Sequence, residues 1–176
     1  IMGAQQHGHM ESVGYDMYLK LLGEAVSEEK GEAAQSADLD CLIDISVNAH
    51  IPESYVESLT LRLDVYRRIA DIRNKEDSLD VKDELKDRFG EIPESVLGLI
   101  DIALIRNCAN AMGIYEIRQT DTNVLLFVKE IKSPKVIELL SRLNGRAMLS
   151  AGNKPYITIR CGGGSSLDML KKVFKI

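Results

Sequence analysis

Apolar residues recur at helical spacing through most of residues 15–112. An apolar stripe after Pro52 predicts a helix that begins at this proline. The next stripe predicts a helix over residues 79–89, with Ser78 as its N-cap and Gly90 as its stop. The helices predicted in this half are residues 15–30, the helix opened by Pro52, residues 79–89 and a mostly apolar central helix over residues 93–112, with residues 27–38 as a polar linker.

The hydrophobic period changes from helical to alternating after Gly113. Alternation predicts four strands there, and the T-D-T-N turn between the first two indicates a hairpin. The elements predicted in this half are strands over residues 114–119, 124–128, 147–150 and 156–160, with helices over 133–143 and 167–174. An earlier alternating stretch, residues 41–47, predicts one more half-buried strand. The sequence therefore predicts an α+β fold, in which a helical N-terminal half is followed by a mainly antiparallel sheet with covering helices.

Composition narrows the class of protein. The 176 residues are 45% hydrophobic and 28% charged, which is typical of a globular domain with a real core. No apolar run is long enough to span a membrane, and no signal peptide is visible. Three widely spaced cysteines favour a reducing cytoplasm over a disulfide scaffold. Because the first residue is Ile1, we expect the chain to be excised from a longer protein, processed or tagged.

Charge is distributed unevenly along the chain. Residues 1–101 carry 10 Lys and Arg against 22 Asp and Glu, whereas residues 102–176 carry 12 against 5. The basic half could bind nucleic acid. That hypothesis requires one shared surface for Lys129, Lys132, Arg142, Arg146 and Arg160. Basic side chains spread over a solvated surface are the favoured alternative, because there is no basic run and few aromatic residues are available for stacking.

Three sequence features could carry chemistry, and each has a plainer interpretation. His7 and His9, with His50 as a third ligand, could bind a metal, but no acidic or cysteine cluster accompanies them and a solvent-exposed loop is favoured. The glycine-rich run 162–166 precedes a helix, as phosphate-binding loops do, but it lacks the required Lys and fits a connector with a serine cap. Paired carboxylates such as Asp83 and Glu84 are the third feature, but they sit within a charged helix and would be solvated, and no nucleophile has a recognisable partner. The sequence supports no catalytic residue, metal or cofactor in this chain.

The polar face of the helix predicted over residues 79–89 is the fourth candidate. Glu84, Asp87 and Arg88 stand at positions i, i+3 and i+4, so they project from the side and back of a helix that packs through its apolar stripe. Composition alone favours an ordinary solvated face. The alternative is a docking face for an arginine-bearing surface.

The chain resembles bacterial transcription-repair coupling factors (Mfd) over residues 3 to about 114. Residues 3–11, G-A-Q-Q-H-G-H-M-E, and residues 13–19, V-G-Y-D-M-Y-L, resemble the segment that ends the family's translocase module. Residues 66–70, Y-R-R-I-A, and residues 84–90, E-L-K-D-R-F-G, are similar to the start of its C-terminal domain. The resemblance fades in the strand-rich half.

The resemblance implies two segments and a function. Residues 1–38 would end the translocase module, and residues 39–176 would form the C-terminal regulatory domain. Proteins of this family are ATP-driven translocases on double-stranded DNA, which remove stalled RNA polymerase and recruit excision repair through UvrA. Their C-terminal domain docks on the UvrB-like domain, covers its UvrA-binding surface and restrains the motor. The resemblance therefore implies a non-catalytic, autoinhibitory and cytoplasmic interaction domain, with a nucleic-acid-binding accessory domain as the alternative.

Two sets of site residues follow from the resemblance. Gln6 and Gly8 match the end of the translocation motif, whose arginine would lie before Ile1, so we expect any coupling role to be lost here. Glu84, Asp87 and Arg88 match the polar residues of the family's contact with the UvrB-like domain. This match favours a docking face over a solvated face for the helix that carries them.

Overall fold

A computed structural model describes residues 41–176 of the chain. The predicted α+β fold is confirmed, whereas the helix expected over residues 15–30 and the linker over 27–38 lie outside the described residues. In chain order the elements are β1 (Leu42–Asp44), α1 (Leu59–Ala70), α2 (Lys75–Phe89), α3 (Glu94–Ala111), β2 (Ile114–Gln119), β3 (Asn123–Val128), α4 (Pro134–Leu143), β4 (Ala147–Ser150), β5 (Tyr156–Arg160) and α5 (Ser166–Phe174).

The described residues divide into two compact units. Val47–Ala103 form a helical unit, and residues 41–46 together with Leu104–Ile176 form a sheet unit. Helix α3 begins in the first unit and ends in the second. The helical and strand-rich halves expected from the sequence thus correspond to structural units, except that β1 precedes the helices in the chain.

Helix α1 begins at Leu59, so the predicted start at Pro52 is wrong. Ser58 is the N-cap, and its side chain accepts a hydrogen bond from a backbone N–H of the first turn. The guanidinium of Arg62 donates to the carbonyl oxygen of Val56 at 2.8 Å. In a helix that began at Pro52, the carbonyl of Val56 would accept a backbone N–H from the next turn. Here it accepts the side chain of Arg62 instead.

Helix α2 begins at Lys75, four residues before the predicted start, and Ser78 is not its cap. Asn74 and Asp77 form a capping box, in which each side chain accepts from the backbone of the other residue. Ser78 is buried inside the helix and donates to a backbone carbonyl one turn earlier. The predicted stop is confirmed, because Gly90 ends the helix with a φ of +83°.

Helix α3 is the buried central helix that the sequence predicts. It runs from Glu94 to Ala111 and is followed by Gly113, which has a φ of +76°. Its buried apolar residues are Val96, Leu99, Ile100, Ile102, Ala103, Leu104, Ile105 and Ala109. A helix that is apolar on most sides is stable only when most of its surface is removed from water.

The strands form one mixed sheet in the order β1-β2-β3-β5-β4. Strand β1 pairs with β2 in parallel, and the other three pairings are antiparallel, so the predicted mainly antiparallel sheet is confirmed. Strand β1 is shorter than the predicted 41–47. Just beyond it, the N–H of Ser46 donates to the side chain of Gln119 at 2.9 Å, so a side-chain bond replaces the backbone ladder.

One row of apolar side chains crosses all five strands. Each residue of the row is the direct cross-strand partner of the next, in the order Ile43, Ile117, Leu126, Ile157 and Leu149. The first four are buried, whereas Leu149 on edge strand β4 is 40% exposed. Directly opposed side chains on one face are what stabilises neighbouring strands, so this row fixes the register of the sheet.

Two amphipathic helices belong to the sheet unit. Helix α4 has Pro134 at its first position, as predicted, and it buries Val136 and Leu139. Helix α5 follows Ser165, whose side chain accepts from a first-turn N–H at 3.4 Å. Within residues 41–176, no helix combines the length and apolar character needed to cross a membrane.

Candidate functional site

Helix α2 holds the three residues expected to form a docking face on its outer side. Val81 and Leu85 are fully buried and fix which side of the helix faces inward. Glu84 is consequently half-buried, and Asp87 and Arg88 are exposed. The helical spacing thus places the predicted site residues where a partner could reach them.

Glu84 bridges two arginines. Its Oε2 accepts from Nε of Arg68 at 3.0 Å, and its Oε1 accepts from Nη1 of Arg88 at 3.0 Å. Arg68 belongs to α1, so Glu84 ties the two helices together. The Arg68, Glu84 and Arg88 side chains are 45%, 35% and 42% exposed, so both ion pairs are surface pairs.

The two guanidinium groups lower the pKa of Glu84. The hydrogen bond from Arg68 is the largest cause, partial burial acts in the opposite direction, and the bond from Arg88 adds to the lowering. The carboxylate is therefore ionised near neutral pH. The cluster of Glu84, Arg68 and Arg88 carries two positive charges and one negative charge on two consecutive helices.

Asp87 lies beside this cluster and stays available. No Lys, Arg or His nitrogen of residues 41–176 lies within 4.0 Å of its carboxylate. It ends an exposed acidic stripe along α2, which consists of Glu76, Asp80, Asp83 and Asp87. A carboxylate in the last turn of a helix is disfavoured by the helix dipole, so a positive partner would stabilise Asp87 more than the other members of the stripe.

Tyr55 supports the end of α2 from the irregular segment before α1. Its hydroxyl donates to the carbonyl of Leu85 at 3.2 Å, and its ring meets the ring of Phe89 edge-on with the centroids 5.8 Å apart. The guanidinium of Arg88 lies over the same Phe89 ring, 4.9 Å from its centroid. Burial raises the pKa of Tyr55, and Glu91 adds to this effect. Sequence reasoning missed both Tyr55 and Arg68, because their contacts join different elements.

Part of the basic set from the nucleic-acid hypothesis converges in the sheet unit. Arg142, Arg146 and Arg160 line one groove of about 640 Å³, together with Lys172 and Lys175. Lys129 and Lys132 do not line it. The nucleic-acid hypothesis required five basic residues on one surface, and three of them share this groove. Two lysines that were not in that set, Lys172 of α5 and its C-cap Lys175, also line the groove.

The metal hypothesis gains no support from the described residues. His7 and His9 lie outside them, as do Gln6 and Gly8. His50 is half-buried, and its Nδ1 has no hydrogen-bond partner in the described part of the chain. Across residues 41–176 there is no group of three or more His, Cys, Asp or Glu side chains placed to hold a metal ion.

The glycine run 162–166 ends in the serine cap that its plainer interpretation predicts. Ser165 accepts from the backbone N–H of Asp168, and Gly162 and Gly163 adopt left-handed backbone angles of +58° and +81° in φ. Asp168 places a carboxylate in the first turn of α5. A carboxylate there occupies the favourable end of the helix dipole and would repel a phosphate.

The fold described above is an α+β fold that is also found in a solved structure. A solved structure described as the C-terminal domain of transcription-repair coupling factor has the same fold, with a TM-score of 0.68 at 18% sequence identity, covering 77% of this chain and 88% of that one. The family model of the TRCF domain matches residues 45–138. The chain belongs to the TRCF domain family.

Curated relatives carry the name transcription-repair-coupling factor. The Bacillus subtilis protein is 32% identical over 179 residues, which cover 98% of this chain and 15% of that protein. A Staphylococcus epidermidis protein is 34% identical over 139 residues, covering 78% and 12%. A Mycobacterium tuberculosis protein is 35% identical over 127 residues, covering 66% and 10%. The chain therefore spans a small part of the length of these relatives.

Proposed function

We propose that this chain is the C-terminal regulatory part of a transcription-repair coupling factor and that it docks on the UvrB-like domain of the same protein. In the docked state it covers the surface that binds UvrA and restrains the DNA translocase. Residues 1–38 would end the translocase module, and residues 39–176 would form the regulatory domain. In this proposal the parent protein is cytoplasmic, hydrolyses ATP, moves on double-stranded DNA and displaces RNA polymerase, whereas this chain is not catalytic.

The observation that carries the proposal is the polar arrangement at the C-terminal end of α2, in a chain of this family. Glu84 holds Arg68 and Arg88 at 3.0 Å, and Asp87 lies exposed beside them. Side chains that are already held in position lose less conformational entropy when they bind, so such a cluster suits specific docking.

The three residues then have different roles. Glu84 uses both carboxylate oxygens within the helical unit, so it acts as a positioning residue for Arg68 and Arg88. Asp87 and the exposed edge of Arg88 make the direct contacts. An arginine on the partner would neutralise Asp87, and an acidic group on the partner would accept hydrogen bonds from the remaining N–H groups of Arg88.

The test is UvrA binding by the full-length parent protein with Asp87→Lys. Removing one member of a partly buried charged pair costs about 2–5 kcal/mol. Undocking should then raise the apparent affinity for UvrA at least about tenfold, since about 1.4 kcal/mol corresponds to a factor of ten. Glu138→Lys is the matched control, because Glu138 is an exposed acid on α4 and the charge change is identical.

Two outcomes would contradict the proposal. If the Asp87→Lys protein stays folded and its affinity for UvrA does not rise, the docking role of this face is wrong. If Glu138→Lys raises the affinity equally, the effect is one of net charge. A direct assay between this chain and the separate UvrB-like domain should give binding that Asp87→Lys weakens and Glu138→Lys leaves unchanged.

A further inference from the structure

The sheet unit contains a groove in which five basic side chains meet without an acidic one. Its basic lining residues are Arg142, Arg146, Arg160, Lys172 and Lys175, which come from α4, the turn after it, the end of β5, α5 and the C-cap of α5. We infer that this groove binds the phosphate backbone of double-stranded DNA, without reading its sequence. The inference does not depend on the proposed docking of α2.

The simplest alternative is that these cations only neutralise helix ends. Helices α4 and α5 both end at the groove, with Asn144 and Lys175 as their C-caps. Each C-terminus carries about half a negative charge, so the two ends account for about one of the five positive charges. Arg142 fills this role, because its Nη2 donates to the carbonyl of Val173 near the end of α5.

The other four cations exceed the charge of the two helix ends, even though Lys172 lies in the last turn of α5 and Lys175 is its C-cap. Within the described part of the chain, no carboxylate oxygen lies within 4.0 Å of a lining cation. The groove therefore keeps an excess of about four positive charges once the two helix ends are counted. An unpaired excess of this size in a concave surface concentrates anions.

The lining chemistry favours duplex DNA among polyanions. Two of the four uncommitted cations are the arginines Arg146 and Arg160, whose planar forks match phosphate oxygens. No aromatic ring lines the groove, so it offers no stacking platform for unpaired bases. Leu143 and Met169, the two apolar lining side chains that are not buried, suit the apolar faces of deoxyribose. Duplex DNA also has a high charge density, about one negative charge per 1.7 Å.

The test measures binding of the whole 176-residue chain to a fluorescent duplex of about 20 base pairs, by anisotropy at 50 and 200 mM salt. With about four phosphate contacts, the logarithm of the association constant should fall against the logarithm of the salt concentration with a slope of about −3.6, so affinity should drop about 150-fold between these salt concentrations. The variant is Arg146→Gln with Arg160→Gln. It leaves Arg142 and its bond to Val173 intact, and both substituted residues are exposed.

The matched control is Lys132→Gln with Lys154→Gln. Both lysines are exposed, belong to the same unit and lie outside the groove lining. The groove variant should lose about tenfold or more in affinity, and its salt slope should become shallower by about two. The control should bind within about threefold of the unchanged chain. Thermal unfolding of all three proteins checks that the fold is retained.

Four results would overturn the inference. The first is the absence of duplex binding at 50 mM salt by the folded, unsubstituted chain. The second is an equal loss of affinity in the groove and control variants, which would indicate a general charge effect. The third is tighter binding of a single strand than of the duplex. The fourth is binding of a polyglutamate peptide in preference to the duplex, lost in the groove variant, which would assign the groove to an acidic polypeptide.

Discussion

Glu84 on α2 and Arg68 on α1 form an ion pair at 3.0 Å, and this pair links two consecutive helices through their polar faces. The same carboxylate also holds Arg88 at 3.0 Å. One side chain therefore serves the packing of the helix pair and the orientation of two exposed arginines. Substitutions at Glu84 test the fold, whereas substitutions at Asp87 test a partner contact.

Replacing Glu84 by Gln should lower the free energy of unfolding by about 0.5–1 kcal/mol at pH 7, because both of its pairs are solvent-exposed and each contributes little. Urea unfolding of the chain measures the change. Glu91→Gln is the control, since Glu91 is 89% exposed and its one ion pair among residues 41–176 is a surface pair with Lys86, and it should leave stability unchanged. A loss well above about 1 kcal/mol would mean that the bridge is effectively buried.

The stabilising effect of Glu84 should depend on pH in a defined direction. Its pKa is lowered from the ordinary value of 4.5 by the bonds from Arg68 and Arg88. The carboxylate thus stabilises the folded state fully above pH 4.5 and loses this effect as the pH falls through the lowered pKa. The stability difference between the unchanged chain and Glu84→Gln should be constant from pH 6 to 8 and shrink below about pH 4.5. A difference that grows on acidification would contradict the assignment.

Tyr55→Phe should destabilise the chain by about 1 kcal/mol, since it removes a hydroxyl that donates at the end of α2 and leaves carbonyl oxygens less satisfied. Its matched control is Tyr115→Phe, whose hydroxyl makes no hydrogen bond to residues 41–176. Chemical denaturation of the two variants compares them directly. Equal stability of both variants would show that the Tyr55 hydroxyl contributes nothing.

Gly90→Ala should cost about 1–3 kcal/mol, because Gly90 has a φ of +83° and a ψ of −154°, a backbone conformation that is essentially restricted to glycine. Space is not the reason, since a Cβ at this position would meet no atom within 4 Å. Gly152→Ala controls for the added methyl group. That site is equally open and has no left-handed φ, so stability should stay within about 0.5 kcal/mol.

Leu126→Ala should lower the free energy of unfolding by about 2–5 kcal/mol, because Leu126 is fully buried in the row that crosses the sheet. Met148→Ala on edge strand β4 is the comparison. Met148 is 70% exposed, so the change should stay within about 0.5 kcal/mol. Similar losses at the two positions would mean that β4 is covered in solution, by a partner or by a second copy of the chain.

Local signals in the sequence predicted the strand-rich half well. The T-D-T-N turn has the backbone bond from the N–H of Thr120 to the carbonyl of Asn123 at 2.8 Å, and the strands on either side match their predicted ranges to within one residue. Alternation and turn residues depend on neighbours in sequence, so they can be interpreted without the fold.

The failures concern side chains that reach beyond their own segment. Pro52 carries an ordinary helix-start signal, but the long side chain of Arg62 occupies the carbonyls before α1. Arg68 could not be assigned to the site, because helical spacing describes contacts within one helix and its partner lies on the next. The basic groove likewise collects Arg142, Arg160 and Lys172 from three elements. Only the tertiary fold brings such residues together.

The parallel pairing of β1 with β2 sets an order of events for the chain as it is synthesised. Leu42 pairs with Glu116, so the first strand waits while about 70 further residues are added, which takes roughly 4–14 seconds at about 5–20 residues per second. The intervening helices can form within microseconds of emerging. The first strand is therefore synthesised early but paired late, and during that interval Leu42 and Ile43 lack their hydrogen-bonding neighbour. This interval is when a chaperone or a competing strand could bind it.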